Sequence, residues 1–174
     1  MAMLWAFSCF AFFLIPYYLS SIKEADIYVL SLATEAAELT ASLICLYIAR
    51  IMDLRKAFGL FGSLTCIAAL AILIFRGVIG DSNSGSQIIS YVDGGLIMLC
   101  NLGVVCTFDI VYLLNPELFP TIYLATSFGL CNIVGRFVSI FSPIVARVPN
   151  PYPLVILMCF GGASVFLSSK LNKC

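Results

Sequence analysis

Apolar residues in this chain come in long blocks, and the polar residues collect in the gaps between them. Residues 1–22 carry no charge, and the block ends in the run Ser20, Ser21, Lys23, Glu24 and Asp26. Residues 57–75 are likewise uncharged. A block of about 20 apolar residues is the length of a helix that crosses a bilayer. The pattern predicts six such spans, at about 1–22, 27–49, 57–76, 91–114, 121–145 and 152–169, within a single domain covering 1–174. The gaps read as turns. Residues 50–56 are short and charged, and 77–87 (GVIGDSNSGSQ) is rich in Gly, Ser, Asn and Asp. Asn115-Pro116-Glu117-Leu118-Phe119-Pro120 is expected to break the fourth helix, because proline lacks the backbone donor and disfavours helix before it. The first block is too long for a signal-peptide core and has no basic segment ahead of it, so it too reads as a span. The expected fold class is all-α, a polytopic membrane helix bundle.

Composition agrees on the solvent. Hydrophobic residues make up 62% of the chain and charged residues 10%, against roughly a quarter charged in a soluble domain. The mean hydropathy is +1.09, so the lipid bilayer is the first partner this surface implies. The net charge is zero and no basic tract is present, which removes the footprint of a nucleic-acid binder. The eight cysteines are scattered, with no CxxC pair, and there is no histidine. A disulfide framework, a zinc site or a haem site is not expected from such a set, and no cofactor is implied. Hydrolase, phosphate-loop and metalloprotease motifs are missing as well, so the chain reads as a non-enzyme.

Basic residues suggest an orientation. With a cytoplasmic N-terminus, Arg50, Arg55, Lys56, Lys170 and Lys173 lie inside and Lys23, Arg76 and Arg147 outside, the bias that the positive-inside rule expects. Charge is also unevenly shared among the spans. The first, third and sixth have no ionisable residue in their interiors, whereas the second carries Glu35 and Glu38, the fourth Asp109 and the fifth Arg136. A charge facing lipid is costly, so ionisable residues turn toward protein or a water-filled path. Three helices are therefore expected to line something polar and three to face lipid, the profile of a transporter.

Arg136 sits mid-helix in LCNIVGRFVSIFSPIV and cannot shed its charge. It reads as a contact for an anionic or zwitterionic solute or, more plainly, as an ion pair with Asp109 or Glu38. Glu35 and Glu38 are three apart and share a helix face, where they would take a proton or a cation; Glu35 alternatively lies near the surface in water. Pairing with Arg136 is the expected fate of Asp109. Glu117, in the proline-flanked turn, is expected to cap the next helix or form a gating ion pair. Ser127, Gly129, Gly135, Ser139 and Ser142, with Gly161, Gly162 and Ala163, are expected to let helices approach closely.

The stretch 115–145, NPELFPTIYLATSFGLCNIVGRFVSIFSPIV, resembles the organic cation/anion transporter branch of the major facilitator superfamily. That family carries E-L-[YF]-P-T before its eleventh helix, matched by Glu117, Leu118, Phe119, Pro120 and Thr121. A glycine-rich helix with a charged position and a late proline follows, matched by Gly129, Cys131, Arg136 and Pro143. Tyr17-Tyr18-Leu19-Ser20 is similar to the end of the seventh helix, and Glu35 to Ala41 to the acidic region of the eighth, with Glu38 at the acidic position. Three features depart from the family. Leu124 replaces an arginine, Thr40 replaces a proline, and RIMDLRK (50–56) keeps the basic character of the D-R-x-G-R-R loop without its glycine.

The resemblance implies helices seven to twelve of a facilitator, built as two inverted three-helix repeats, in the plasma membrane. Arg136, Glu38, Asp109 and Glu35 would bind a small organic ion, and arginine at the eleventh-helix position implies an anion or zwitterion. Glu117, Pro120 and Thr121, with Arg50, Asp53, Arg55 and Lys56, would serve as gating and structural motifs. Facilitators bind solute between two six-helix halves, so the implied partner is a missing N-terminal half or a second chain. A truncated, non-transporting assembly partner is the alternative reading.

Overall fold

In a bilayer every backbone donor and acceptor must be satisfied within the chain, and an apolar sequence of this kind has the helix as its solution. A computed structural model of the chain describes residues 1–20, 27–79, 87–148 and 152–170. Lys23, Glu24, Asp26, most of the 77–87 linker and Lys173 lie outside the described residues. The helices are α1 (Ala2–Ser20), α2 (Ile27–Ile51), α3 (Leu54–Ile79), α4 (Gln87–Leu118), α5 (Thr121–Ser139), α6 (Ser142–Ala146) and α7 (Tyr152–Lys170). No strand occurs among the described residues.

Four segments are long and apolar enough to cross a membrane: Leu54–Gly77, Val92–Leu118, Thr121–Ala146 and Tyr152–Lys170. Ala2–Tyr17 is a shorter apolar helix, and α2, which carries Glu35, Glu38 and Arg50, is not among the four. The expected fifth span holds an interruption at Ile140 and Phe141. Pro143 cannot donate to the carbonyl four residues back, so the helix restarts there with proline in its first turn, a position where the missing donor is harmless.

The expected break at 115–120 is displaced. α4 runs through Pro116 to Leu118, and the Phe119 amide still donates to the Asn115 carbonyl at 3.1 Å. The chain stops being helical at Pro120, which is extended at φ −63° and ψ 151° and heads α5. Proline near the end of a helix removes one hydrogen bond, and the remaining turn still closes around it.

Inter-helix contacts fix the directions. Ser8 Oγ donates to the Thr107 carbonyl, and the Trp5 ring lies tilted against Tyr112 with centroids 4.5 Å apart, so α1 and α4 run antiparallel. Ser142 Oγ donates to the Phe10 carbonyl at 3.2 Å and Gly135 lies on Cys9, so the α5–α6 segment runs alongside α1 in the same direction. Cys106 Sγ approaches the Ala41 carbonyl and Ser42 reaches Asp109, so α2 and α4 are parallel. Ser168 Oγ donates to the Arg55 carbonyl at 3.0 Å, so α7 is antiparallel to α3. The chain therefore reverses direction at each successive long helix. The 50–56 turn and the end of α7 share one end of the bundle.

α2 packs on α4, α4 on α1 and α1 on α5, giving four helices side by side. α3 and α7 pack on each other and on α4 and α1, covering one side of that layer. The core lies between, and α1 supplies its centre through Leu4, Trp5, Phe7, Phe10, Leu14 and Ile15. This corrects the expectation that the first span faces lipid. A helix apolar all round belongs in the core, and α1 is enclosed by α4, α5 and α7.

Close approach depends on glycine at four positions. A Cβ on Gly103 would meet Thr65 Oγ1 at 2.5 Å, and one on Gly62 would meet Val165 at 2.6 Å. A Cβ on Gly135 would meet the sulfur of Cys9 at 2.7 Å, and one on Gly161 that of Cys66 at 2.8 Å. Gly129 and Gly162, also expected to make contacts, have open space beside them.

Candidate functional site

The side of the layer not covered by α3 and α7 carries the intramembrane charges. α2 projects Glu35, exposed, and Glu38, half-buried, one turn apart. One turn further on, Ser42 Oγ donates to Asp109 Oδ2 of α4 at 2.8 Å. Glu38 lies against the buried Asn101 amide of α4 and close enough to Glu35 and Asp109 to feel both charges. The Asn101 Nδ2 atom closes no hydrogen bond of good geometry. Asp109, Ser42, Cys45 and Tyr112 line a groove between α2 and α4 of about 430 Å³.

Arg136 stands on the other flank, exposed on α5. Its guanidinium carbon lies 5.8 Å from the ring centre of Phe13 on α1. It forms no ion pair with Asp109 or Glu38, which corrects the expected pairing. The physical reason is the layer order: α1 stands between α4 and most of α5, and Asp109 turns the opposite way, toward Ser42 of α2. Between the two flanks runs an aromatic strip. Phe12 stacks on Phe108 at 4.6 Å, Phe108 leans on Tyr112, and Tyr112 meets Phe128. Tyr112 both lines the acidic groove and lies within reach of the Arg136 charge.

The structure thus gathers Glu35, Glu38 and Asp109 at one flank and sets Arg136 apart at the other. Sequence reasoning missed Ser42, Asn101, Tyr112 and Phe13. Two had a usable signal: Ser42 follows Glu38 by four residues and Tyr112 follows Asp109 by three, so each shares its neighbour's helix face. Asn101 and Phe13 are linked to the site only by tertiary packing.

The motif residues lie away from this face, at the end of the bundle. Lys56 Nζ pairs with Asp53 at 3.6 Å across an exposed turn, and Arg50 is exposed at the end of α2. Glu117 is exposed in the last turn of α4, three residues before Pro120, and Thr121 opens α5. On the far side of α4, Arg76 Nε donates to Asp93 Oδ1 at 3.1 Å, and a second bond makes the pair bidentate. That pair ties α3 to α4.

No family model matches the chain. Among characterised proteins it is 29% identical over 144 residues to solute carrier family 22 member 15 of Xenopus tropicalis, a match covering 80% of this chain and 26% of that protein. It is 27% identical over 169 residues to solute carrier family 22 member 6 of Rattus norvegicus, covering 97% of this chain and 29% of that protein. Its homologues are members of solute carrier family 22. This is the organic cation/anion branch of the major facilitator superfamily, the one that residues 115–145 resemble. The relatives are solute carriers by name, and the chain spans less than a third of the length of either.

Proposed function

We propose that this chain forms one wall of a carrier that moves small organic ions, anions or zwitterions, across the plasma membrane. Transport proceeds by alternating access, with a companion six-helix half closing over the open face of α2, α4, α1 and α5. The observation that carries this reading is Arg136. It sits exposed inside the 26-residue span Thr121–Ala146, where only Cys131, Gly135 and Ser142 are buried, and the aromatic ring of Phe13 faces its guanidinium. A cation–π contact at an exposed site contributes about 0.5–1 kcal/mol. A guanidinium at the centre of a lipid-facing helix costs about 2.5–3.5 kcal/mol on insertion scales. The ring does not offset that cost, so the position makes physical sense where water or an anion reaches it.

Helix pairing supports the half-carrier reading. Exchange the triplets α1-α2-α3 and α4-α5/α6-α7, and the packing of α1 on α5 maps onto that of α4 on α2. The packing of α3 on α4 maps onto that of α7 on α1. Such exchange is what inverted repeats produce. The aromatic strip through Tyr112 gives an organic body a surface between the cationic and acidic flanks, and organic ion transport, which the relatives imply, fits that chemistry.

The test is uptake of a radiolabelled organic anion by cells expressing the carrier, with surface expression measured alongside. Arg136→Ala is expected to abolish anion uptake, and Arg136→Lys to retain part of it at a raised KM. Normal uptake with unchanged affinity in Arg136→Ala contradicts the assignment.

A further inference from the structure

A second cavity lies where the two ends of α3 and α7 meet, on the side of the bundle away from the charged face. It measures about 760 Å³ and opens between the 53–56 turn and the last two turns of α7. Its rim carries Arg55 and Lys56, with Asp53 as the one acidic side chain lining it. Lys170 follows directly on the rim residue Ser169, and Arg50 ends the neighbouring helix, so positive charge outweighs negative at this end. The rest of the lining comes from Gly59, Leu60 and Ser63 of α3 and from Val165, Ser168 and Ser169 of α7, so apolar Leu60 and Val165 stand among small and hydroxyl side chains. The floor is open at Gly59, where an added Cβ would meet nothing within 4 Å.

We infer that this crevice binds an anionic phospholipid, its phosphate at Arg55 and Lys56 and an acyl chain along Gly59, Leu60 and Val165. Three observations converge on a lipid. The basic rim stands at the end of two spanning helices, the depth at which lipid phosphates lie, and basic pockets between helices at the cytoplasmic side hold anionic headgroups. The lining joins basic side chains at the start of α3 to apolar Leu60 and Val165 about one turn further from the helix ends, the two kinds of contact a phospholipid needs. The counter-charge is weakly held: the Lys56–Asp53 pair has side chains 75% and 59% exposed at 3.6 Å, and such pairs contribute little, so Lys56 exchanges Asp53 for a phosphate at small cost. Because α3 and α7 cover the layer from behind, the crevice faces bilayer and stays independent of any solute path. The inference rests on the membrane setting alone, and transport can fail without affecting it.

The experiment is native mass spectrometry of the purified chain in mild detergent, offered equal phosphatidylserine and phosphatidylcholine. Wild type is expected to retain phosphatidylserine preferentially. Each basic residue near an anionic headgroup contributes about five-fold in affinity. Lys56→Gln, at a largely exposed side chain, should therefore weaken retention about five-fold, and Arg55→Gln with Lys56→Gln about twenty-five-fold. Gly59→Leu keeps every charge and fills the crevice, and it should lose the lipid with helicity unchanged. Three results overturn the proposal. Equal retention of the two lipids removes the headgroup preference. Full phosphatidylserine retention by Gly59→Leu reduces the effect to adsorption on surface charge. Displacement of the lipid by ten-fold excess inorganic phosphate makes the site one for free phosphate, with no role for the acyl chain.

Discussion

Replacing Gly103 by alanine adds one methyl group where α4 crosses α3, and the structure states what that methyl meets. Thr65 Oγ1 lies 2.5 Å from the new Cβ, with the Phe61 carbonyl oxygen at 3.1 Å and the Thr65 amide nitrogen at 3.2 Å. Thr65 cannot simply rotate away, since its hydroxyl donates to the Phe61 carbonyl at 3.0 Å and the two backbone contacts would remain. The helices must part by a few tenths of an ångström, an overpacking cost of about 1–3 kcal/mol. Alanine recovers about 1 kcal/mol through its higher helix propensity. Gly94→Ala, in the same helix with open space around it, gains that propensity without the clash. The difference between the two variants therefore isolates the clash, and Gly103→Ala should be the less stable by about 1–3 kcal/mol. Thr65→Ala added to Gly103→Ala should recover part of the loss and leave the backbone share. The assay is unfolding in mixed micelles of rising sodium dodecyl sulfate, followed by far-ultraviolet circular dichroism. Equal stability of Gly103→Ala and Gly94→Ala would refute the packing of α4 on α3 described above.

Other consequences can be checked in the same system. A double-mutant cycle of Arg76→Gln and Asp93→Asn should give a coupling on the order of 1 kcal/mol, because the pair is bidentate yet 27% and 17% exposed; zero coupling contradicts it. Ser142→Ala removes the bond to the Phe10 carbonyl that holds α6 on α1, and should lower stability by about 1 kcal/mol. Ser139→Ala, whose hydroxyl bonds only its own helix at the Arg136 carbonyl, should cost less in the same unfolding assay.

Long apolar blocks made the helices legible, because lipid leaves the backbone one economical solution. The exceptions concern proline. Its effect depends on whether a turn can close around it, as at Pro116, or whether the chain must restart, as at Pro143. Burial was less legible: the absence of charge in α1 is equally consistent with a lipid face and a core, and only the neighbours decide. The charged residues were readable one at a time, since Glu35, Glu38, Asp109 and Arg136 stand out in any apolar sequence. Their grouping was not. The order of helices in the layer sends Asp109 to Ser42 and leaves Arg136 beside Phe13, and no spacing along the chain encodes that order. Among the glycines, Gly135 was readable as a contact, but Gly62 and Gly103 carry the tightest ones and sit in sequences that look no different.

The central claim is that the face formed by α2, α4, α1 and α5 lines a solute path. The most direct measurement is the reaction of single cysteines on that face, Arg136→Cys and, in the groove between α2 and α4 that Leu39 also lines, Leu39→Cys, with a membrane-impermeant thiol reagent in a cysteine-free carrier. Both are expected to be labelled from water, from either side of the membrane, and to be protected by an organic anion. Failure of both positions to react from either side, with folding intact, would contradict it.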